Sequence, residues 1–263
     1  MKPTILLVHG AYHQPAHFAK LADHLEEMGY ETEGVALPSV GADADPGNAL
    51  SQDAAAIKEG LVNLTQQGKN VVLFMHSYGG ITQNCGSEAA ASFLEQRKPQ
   101  ADEGTATIVR LIYVNAYALN KGDSWAAEHT AGKDPNAANF PASVDDKGIA
   151  TWLKPVEYYY TPTTDAAEAE AAVALLRPMA TSAFLEPTQY GAYAWAEYGV
   201  PVSYVGCKLD RMLPISMQED FVKRMREAMV SVTATWLQYD HSPFLSHAEE
   251  LAKIVDVAVE KGE

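Results

Sequence analysis

The chain has little cysteine, few positive charges and no long apolar run. Its two cysteines, Cys85 and Cys207, among 263 residues cannot build a disulfide framework. Neither lies in a CxxC or Cys/His spacing that would hold zinc, so reduced and mostly buried thiols are expected. The 19 Lys and Arg against 34 Asp and Glu leave a formal net charge of -15. That charge repels phosphate backbones and anionic headgroups, which disfavours nucleic-acid binding and electrostatic membrane docking and favours a neutral substrate. No stretch approaches the roughly 18 apolar residues that cross a bilayer. The run Ile5 to Val8 stops at His9 and Gly10, too soon for a signal-peptide core. With nothing to export or anchor the chain, a cytoplasmic location is expected.

What is present is an alternation of short β-branched apolar runs with longer helical patterns, the sequence form of a parallel sheet with crossover helices. Strands are expected at Thr4–Val8, Glu31–Ala36, Asn70–Met75, Val109–Val114, Val202–Val205 and Thr233–Leu237. Helices are expected at Pro15–Met28, Leu50–Gln67, Gly79–Arg97, Ile215–Met229 and Pro243–Val259. Runs such as Val71-Val72-Leu73-Phe74 carry no polar alternation, as strands covered by helices on both faces require. From about Asn120 to Glu197 the alternation breaks into Ala-, Pro-, Thr- and Tyr-rich sequence with a helix at Asp165–Leu176. An insertion of that length between sheet strands reads as a cap over the active edge of one α/β domain spanning the chain.

The chemistry concentrates where strands end. Val71 to Met75 runs into His76-Ser77-Tyr78-Gly79-Gly80, a nucleophile elbow in which a sharp strand-to-helix turn lifts a serine hydroxyl above the sheet. One departure is Met75, which stands where the G-x-S-x-G pattern has glycine. A serine needs an adjacent base, and the chain order Ser, acid, His points to His241, in the loop after the last strand. His13, His17 and His24 precede the serine, His129 reads as an exposed cap residue, and His247 falls in the final helix. The acid is Asp210, a short loop beyond Val202–Val205, whose role would be to hold the imidazole tautomer. Asp240 adjoins His241 and is expected to point away into solvent, as are Asp123, Glu219 and Asp220. Backbone N–H groups of Tyr78 and Ala11 would form the oxyanion hole, with Gly10 and Tyr12 beside them as substrate contacts. No metal or cofactor is called for.

Together the segments Leu7-Val8-His9-Gly10-Ala11, His76-Ser77-Tyr78-Gly79-Gly80, Asp210-Arg211 with Leu213-Pro214, and Asp240-His241-Ser242-Pro243-Phe244 resemble the plant methyl esterase and hydroxynitrile lyase branch of the α/β-hydrolases. Leu175-Leu176-Arg177-Pro178 is a looser match. The resemblance implies an α/β-hydrolase fold with a mostly parallel sheet, and a cofactor-free cytosolic enzyme, often a homodimer, that hydrolyses small esters. Lyases of that branch typically carry Thr or Asn at the position of Gly10, and several have Lys directly after the catalytic histidine, where this chain has Ser242.

Three functions follow from these residues. The first is an esterase or lactonase acting on a small, neutral, aromatic or polyketide-like ester through an acyl-enzyme. The second is a C–C lyase using Ser77 and His241 as a proton-transfer pair, and the third is a non-catalytic ligand receptor on the same scaffold. Dehalogenase and epoxide-hydrolase chemistry needs an Asp at the elbow, which Ser77 excludes.

Overall fold

The computed structural model describes residues 2–41, 43–47, 49–81, 86–97, 105–129, 141–188 and 191–261; Cys85 lies outside them. Six strands, β1 (Thr4–Val8), β2 (Glu31–Val35), β3 (Val71–His76), β4 (Ile108–Val114), β8 (Val202–Cys207) and β9 (Val232–Leu237), form one sheet in the order β2-β1-β3-β4-β8-β9. Every pairing in it is parallel. The remaining strands, β5 (Ala142–Val144), β6 (Ile149–Trp152) and β7 (Met179–Ala180), make a small antiparallel sheet between β4 and β8.

Parallel neighbours require crossovers, and the helices supply them on both faces. α1 (Ala19–Glu27) and α10 (Ala248–Lys261) cover one face. α2 (Ala49–Gln66), α3 (Gly86–Arg97) and α8 (Ile215–Glu227) cover the other. The two-residue period of a strand divides β1 between the layers. Leu6 and Val8 pack with Ile57, Leu61 and Phe221, whereas Ile5 and Leu7 pack with Leu21, Leu25 and Leu251. Strands β1, β3 and β8 are buried along their whole length, and the edge strand β2 is mostly exposed. Short helices complete the chain: α4 (Trp125–Glu128), α5 (Pro155–Tyr159), α6 (Ala166–Leu175) and α7 (Trp195–Tyr198) in the insertion, and α9 (Pro243–Ser246) before α10. Among the described residues no helix is long and apolar enough to cross a membrane.

Three expectations about elements need correction. The helix expected from Gly79 to Arg97 is not continuous: Ser77–Gly80 is a single 3-10 turn, Ile81 is extended (φ -55, ψ 132), and α3 starts at Gly86. The expected Pro15–Met28 helix opens as a 3-10 turn over Pro15–Phe18, and the expected Pro243–Val259 helix breaks at His247. The cap also contains the β5-β6-β7 sheet besides its helices. That sheet is tied to the core through a bridge between Val40 and Met179 and through the Ala180 N–H donated to Ser39 O at 2.9 Å. The helix Asp165–Leu176 is present as α6, with the Asp165 carboxylate capping the N–H of Ala167 and Glu168, the usual role of Asp at that position.

Candidate active site

Strand β3 delivers Ser77 in the left-handed region, at φ +51, where a non-glycine residue is held only by surrounding packing. Three glycines make that packing. A Cβ on Gly79 would lie 2.8 Å from the carbonyl oxygens of Val8 and His9, and one on Gly80 would lie 2.8 Å from Ala116 Cβ and Tyr117 O. On Gly10 a Cβ would come within 2.9 Å of Ser77 Cβ and 2.8 Å of His76 Nδ1. The loop after β1 therefore runs directly against the serine turn.

The missing elbow glycine has a counterpart. Met75 is fully buried and its side chain fills the space over Gly86, where a Cβ would meet Met75 Sδ at 2.4 Å and Cγ at 2.6 Å. The small residue that lets strand and helix approach has moved from the strand to the helix.

Tyr78, the residue after the serine, is fixed by its hydroxyl, which donates to Asp53 Oδ2 at 2.7 Å, while Ser39 N–H donates to Asp53 Oδ1 at 2.8 Å. Burial pushes the Asp53 carboxyl up to about 6, against the pull of those donors. Nothing in the sequence pattern singles out Asp53, which sits inside α2.

His241 and Asp210 meet with Nδ1 2.7 Å from Oδ2, both side chains fully buried. Asp210 Oδ1 accepts the N–H groups of Met212 and Leu213, each at 2.8 Å. Burial raises the Asp210 carboxyl above its ordinary value, and the His241 charge, its hydrogen bond and the two backbone donors oppose that rise. Gln218 on α8 braces this loop, donating to Leu213 O at 2.7 Å and to Cys207 O at 3.2 Å. The backbone of His241 is held from below: its carbonyl accepts from Asn115 Nδ2 at 3.0 Å and lies 2.9 Å from His76 Nε2. His241 Nε2, by contrast, has no hydrogen-bond partner among the described residues. Catalytic hydrogen bonds are often long before substrate binds.

Asp240 is not a solvated charge. It is fully buried, and its Oδ2 accepts from Thr163 N–H, Thr164 N–H and Thr164 Oγ1 at 2.9 to 3.0 Å, while Oδ1 accepts from Ser242 N–H at 3.1 Å. Chain adjacency to His241 concealed this, because the carboxylate turns toward the cap. His129 is likewise buried, its Nε2 2.9 Å from Tyr117 Oη and its ring 4.0 Å from that of Trp125. It stands behind the cavity wall, so the expectation of an exposed loop residue is wrong. His9, His13, His17 and His76 are buried beneath the site, with ring centroids 4.6 Å apart for His13 and His17 and 4.7 Å for His76 and His241. Asp123 stays a turn residue accepting Asn120 N–H, and Asp220 pairs with Arg224.

Ala11, Tyr12, Ser77 and Tyr78 line one cavity of about 250 Å³, roofed by the cap through Trp125, Trp152, Tyr159 and Phe184. No Asp, Glu, Lys or Arg is among its described lining residues. Tyr159 stacks on His241 with centroids 5.6 Å apart, which connects this cavity to the His241–Asp210 pair. Gly10 supports it from behind. A groove of about 290 Å³ at the far edge, between β8, β9 and α10, contains none of these groups. Among the described residues no three His, Cys, Asp or Glu side chains converge as a metal site requires.

The pattern of the Alpha/beta hydrolase family matches residues 5–254. The chain belongs to the alpha/beta hydrolase family. Over 97% of its length this hydrolase is 27% identical to alpha/beta hydrolase nvfD of Aspergillus novofumigatus, covering 96% of that protein. It is 23% identical to methyl jasmonate esterase 1 of Vitis vinifera, over 97% of this chain and 96% of the esterase. Among solved structures, an extracellular alpha/beta-hydrolase from a Paenibacillus species superposes with a TM-score of 0.75 at 18% identity, covering 98% of both chains. That last likeness concerns the fold.

Proposed function

We propose that this alpha/beta hydrolase cleaves a small neutral carboxylic ester or lactone through an acyl-enzyme on Ser77. The observation that carries the proposal is the His241 Nδ1 to Asp210 Oδ2 contact of 2.7 Å, with Nε2 left unpartnered among the described residues and the ring stacked on Tyr159, which lines the same cavity as Ser77. An imidazole anchored at one nitrogen and unengaged at the other is oriented to take a proton from a hydroxyl.

In the first half-reaction Ser77 Oγ attacks the ester carbonyl as its proton passes to His241 Nε2. Asp210 holds the tautomer with Nδ1–H and stabilises the imidazolium. The N–H groups of Ala11 and Tyr78 receive the oxyanion, the largest stabilising element in such sites. His241 then returns the proton to the departing alcohol oxygen as the C–O bond breaks. Water, deprotonated by the same Nε2, repeats the sequence on the acyl-enzyme and releases the acid and Ser77. The described lining residues, none of them charged, disfavour anionic substrates, and the esterase among the relatives supports ester chemistry.

The lyase alternative is weakened by space. A Thr or Asn side chain at position 10 has no room against Ser77 and His76, and Ser242 brings no positive charge. The test runs ester and mandelonitrile cleavage on one sample together with labelling by a fluorophosphonate. Burst release of p-nitrophenol, label on Ser77 and loss of both in Ser77→Ala are expected; cyanide release without ester turnover, or label on another serine, overturns the proposal.

A further inference from the structure

The cap hairpin is the part of the cavity that the catalytic groups leave unexplained. In β5 and β6 side chains alternate between faces, and the antiparallel register sets Ala142 opposite Trp152 and Val144 opposite Ala150. Those four residues, and neither Ser143 nor Thr151 between them, line the cavity. One face of a two-stranded ribbon is thus a wall of the cavity that Ser77 also lines, and it presents one large flat ring beside the methyl groups of Ala142 and Ala150 and the isopropyl group of Val144.

The rings around it form a continuous surface. Trp152 stacks on Tyr159 with centroids 5.4 Å apart and planes 28° apart, and Tyr159 stacks in turn on His241. Tyr12 lies 5.7 Å from Trp152 and 6.5 Å from Phe184, which packs on Trp125 at 4.9 Å. Three polar groups of the lining are turned into protein, whereas Tyr159 Oη is buried there with no hydrogen-bond partner among the described residues. The Tyr78 hydroxyl goes to Asp53, the Tyr117 hydroxyl pairs with His129, and Thr181 Oγ1 donates to Gly148 O at 2.9 Å. What the cavity offers a ligand is chiefly ring faces, with Tyr159 Oη as a polar atom among them, a surface that favours offset stacking.

We infer that the site takes neutral esters whose acyl group carries a flat aromatic ring, stacked on Trp152, and that Ala142 and Ala150 set the size of ring admitted. The inference rests on the ester-hydrolase reading for its chemistry but not for its binding geometry. Ala150 is buried and adjoins Val144, which is 56% exposed. The ring therefore has a way in at the Val144 end, and a larger side chain at 150 would intrude beneath it.

The test compares p-nitrophenyl acetate with p-nitrophenyl 2-naphthoate, which share a leaving group and differ in the ring. Ala150→Leu and Ala142→Leu should each lower kcat/KM for the naphthoate by about tenfold or more, the scale of discrimination that one or a few carbon atoms give in an apolar pocket. The loss on acetate should be several-fold smaller than the loss on the naphthoate, and a circular dichroism spectrum and urea midpoint like those of wild type report that each variant has folded. In parallel, methyl 2-naphthoate and its saturated decalin counterpart are titrated by calorimetry into Ser77→Ala and into Ser77→Ala with Ala150→Leu. Tighter binding of the naphthoate that Ala150→Leu removes supports the inference, even if the wild-type protein hydrolyses neither ester and the catalytic reading fails. Equal losses on acetate and naphthoate, no loss on either, or equal affinity for the flat and saturated rings overturns it.

Discussion

Asp240 Oδ2 accepts both the backbone N–H and the hydroxyl of Thr164, at 2.9 and 3.0 Å. The residue preceding the base is thereby joined to the cap turn that follows Tyr159. In the opposite direction, Asp240 N–H donates to Thr163 Oγ1 at 3.0 Å. Removing the carboxylate leaves the buried Ser242 N–H and the part-buried N–H groups of Thr163 and Thr164 without their acceptor, at up to about 1–3 kcal/mol apiece. Thr164→Val deletes one bond and should cost about 1–2 kcal/mol in urea unfolding, with Thr164→Ser close to wild type. Asp240→Ala should cost at least about 3 kcal/mol. An Asp240→Ala midpoint equal to that of wild type would show that the clasp carries no stability.

Asp210→Asn preserves volume and keeps an oxygen that can accept from Met212 and Leu213, so the fold should survive. The amide presents no carboxylate to His241 Nδ1–H, and the wrong imidazole tautomer results. Ester turnover should fall on the order of 10⁴-fold, with a near-native circular dichroism spectrum and urea midpoint. Turnover within about tenfold of wild type would assign the orienting role to another group.

Much of the frame was legible because the forces that make it are local. Runs such as Ile5–Val8 and Val71–Phe74 have only one way to be buried on both faces, and the sheet strands lie within a few residues of their expected bounds. Chain order at strand ends picked out Ser77, Asp210 and His241 as candidates, of which Asp210 and His241 are in contact and Ser77 lines the cavity. What escaped depends on distant partners. The β5-β6 hairpin is two short segments in Ala- and Thr-rich sequence whose pairing nothing local requires. Asp240 and His129 have unremarkable neighbours in sequence and find their partners, Thr163 with Thr164 and Tyr117 with Trp125, only through the cap. Asn115 and Gln218 hold the base and acid loops from other elements and belong to no motif.

The exchange of glycine between elbow and helix is testable as a pair. Gly86→Ala introduces a Cβ into the space of Met75 and within 2.7 Å of Gly79 O, overpacking that costs about 1–3 kcal/mol. Met75→Ala alone leaves a cavity, at about 2–5 kcal/mol. The double variant should be more stable than the sum of the two losses, because the methionine that obstructs the new methyl has gone. The Gly79 carbonyl remains, so the rescue is partial. Strict additivity in denaturant unfolding would mean that Met75 and Gly86 do not share that space.

Stability should fall steeply on mild acidification, and the buried histidines set the direction. Burial is the main cause that lowers His9 to about 4, takes His13 and His76 well below 6.5, and lowers His17. Protonation of His13 is further opposed by its repulsion with His17 and His76, which cannot all carry charge together. Folded values below the unfolded 6.5 mean that the unfolded chain binds more protons. The stabilisation is therefore full above about 6.5 and is lost as pH falls toward 4. Asp53 acts the other way: raised to about 6, it is protonated in the folded state across pH 4–6 and offsets roughly one proton. The raised carboxyls of Asp210 and Glu186 act in the same direction as Asp53, and against them stand His9, His13, His17 and His76, so unfolding near pH 5 should take up protons in net. Each net proton taken up corresponds to a slope of about 1.4 kcal/mol per pH unit. Calorimetry in two buffers of different ionisation enthalpy measures the uptake directly. His13→Gln should reduce it by about one proton, since that ring then has no charge to gain on unfolding. A melting temperature that stays flat or rises between pH 7 and 5 would contradict neutral burial of this cluster beneath the site.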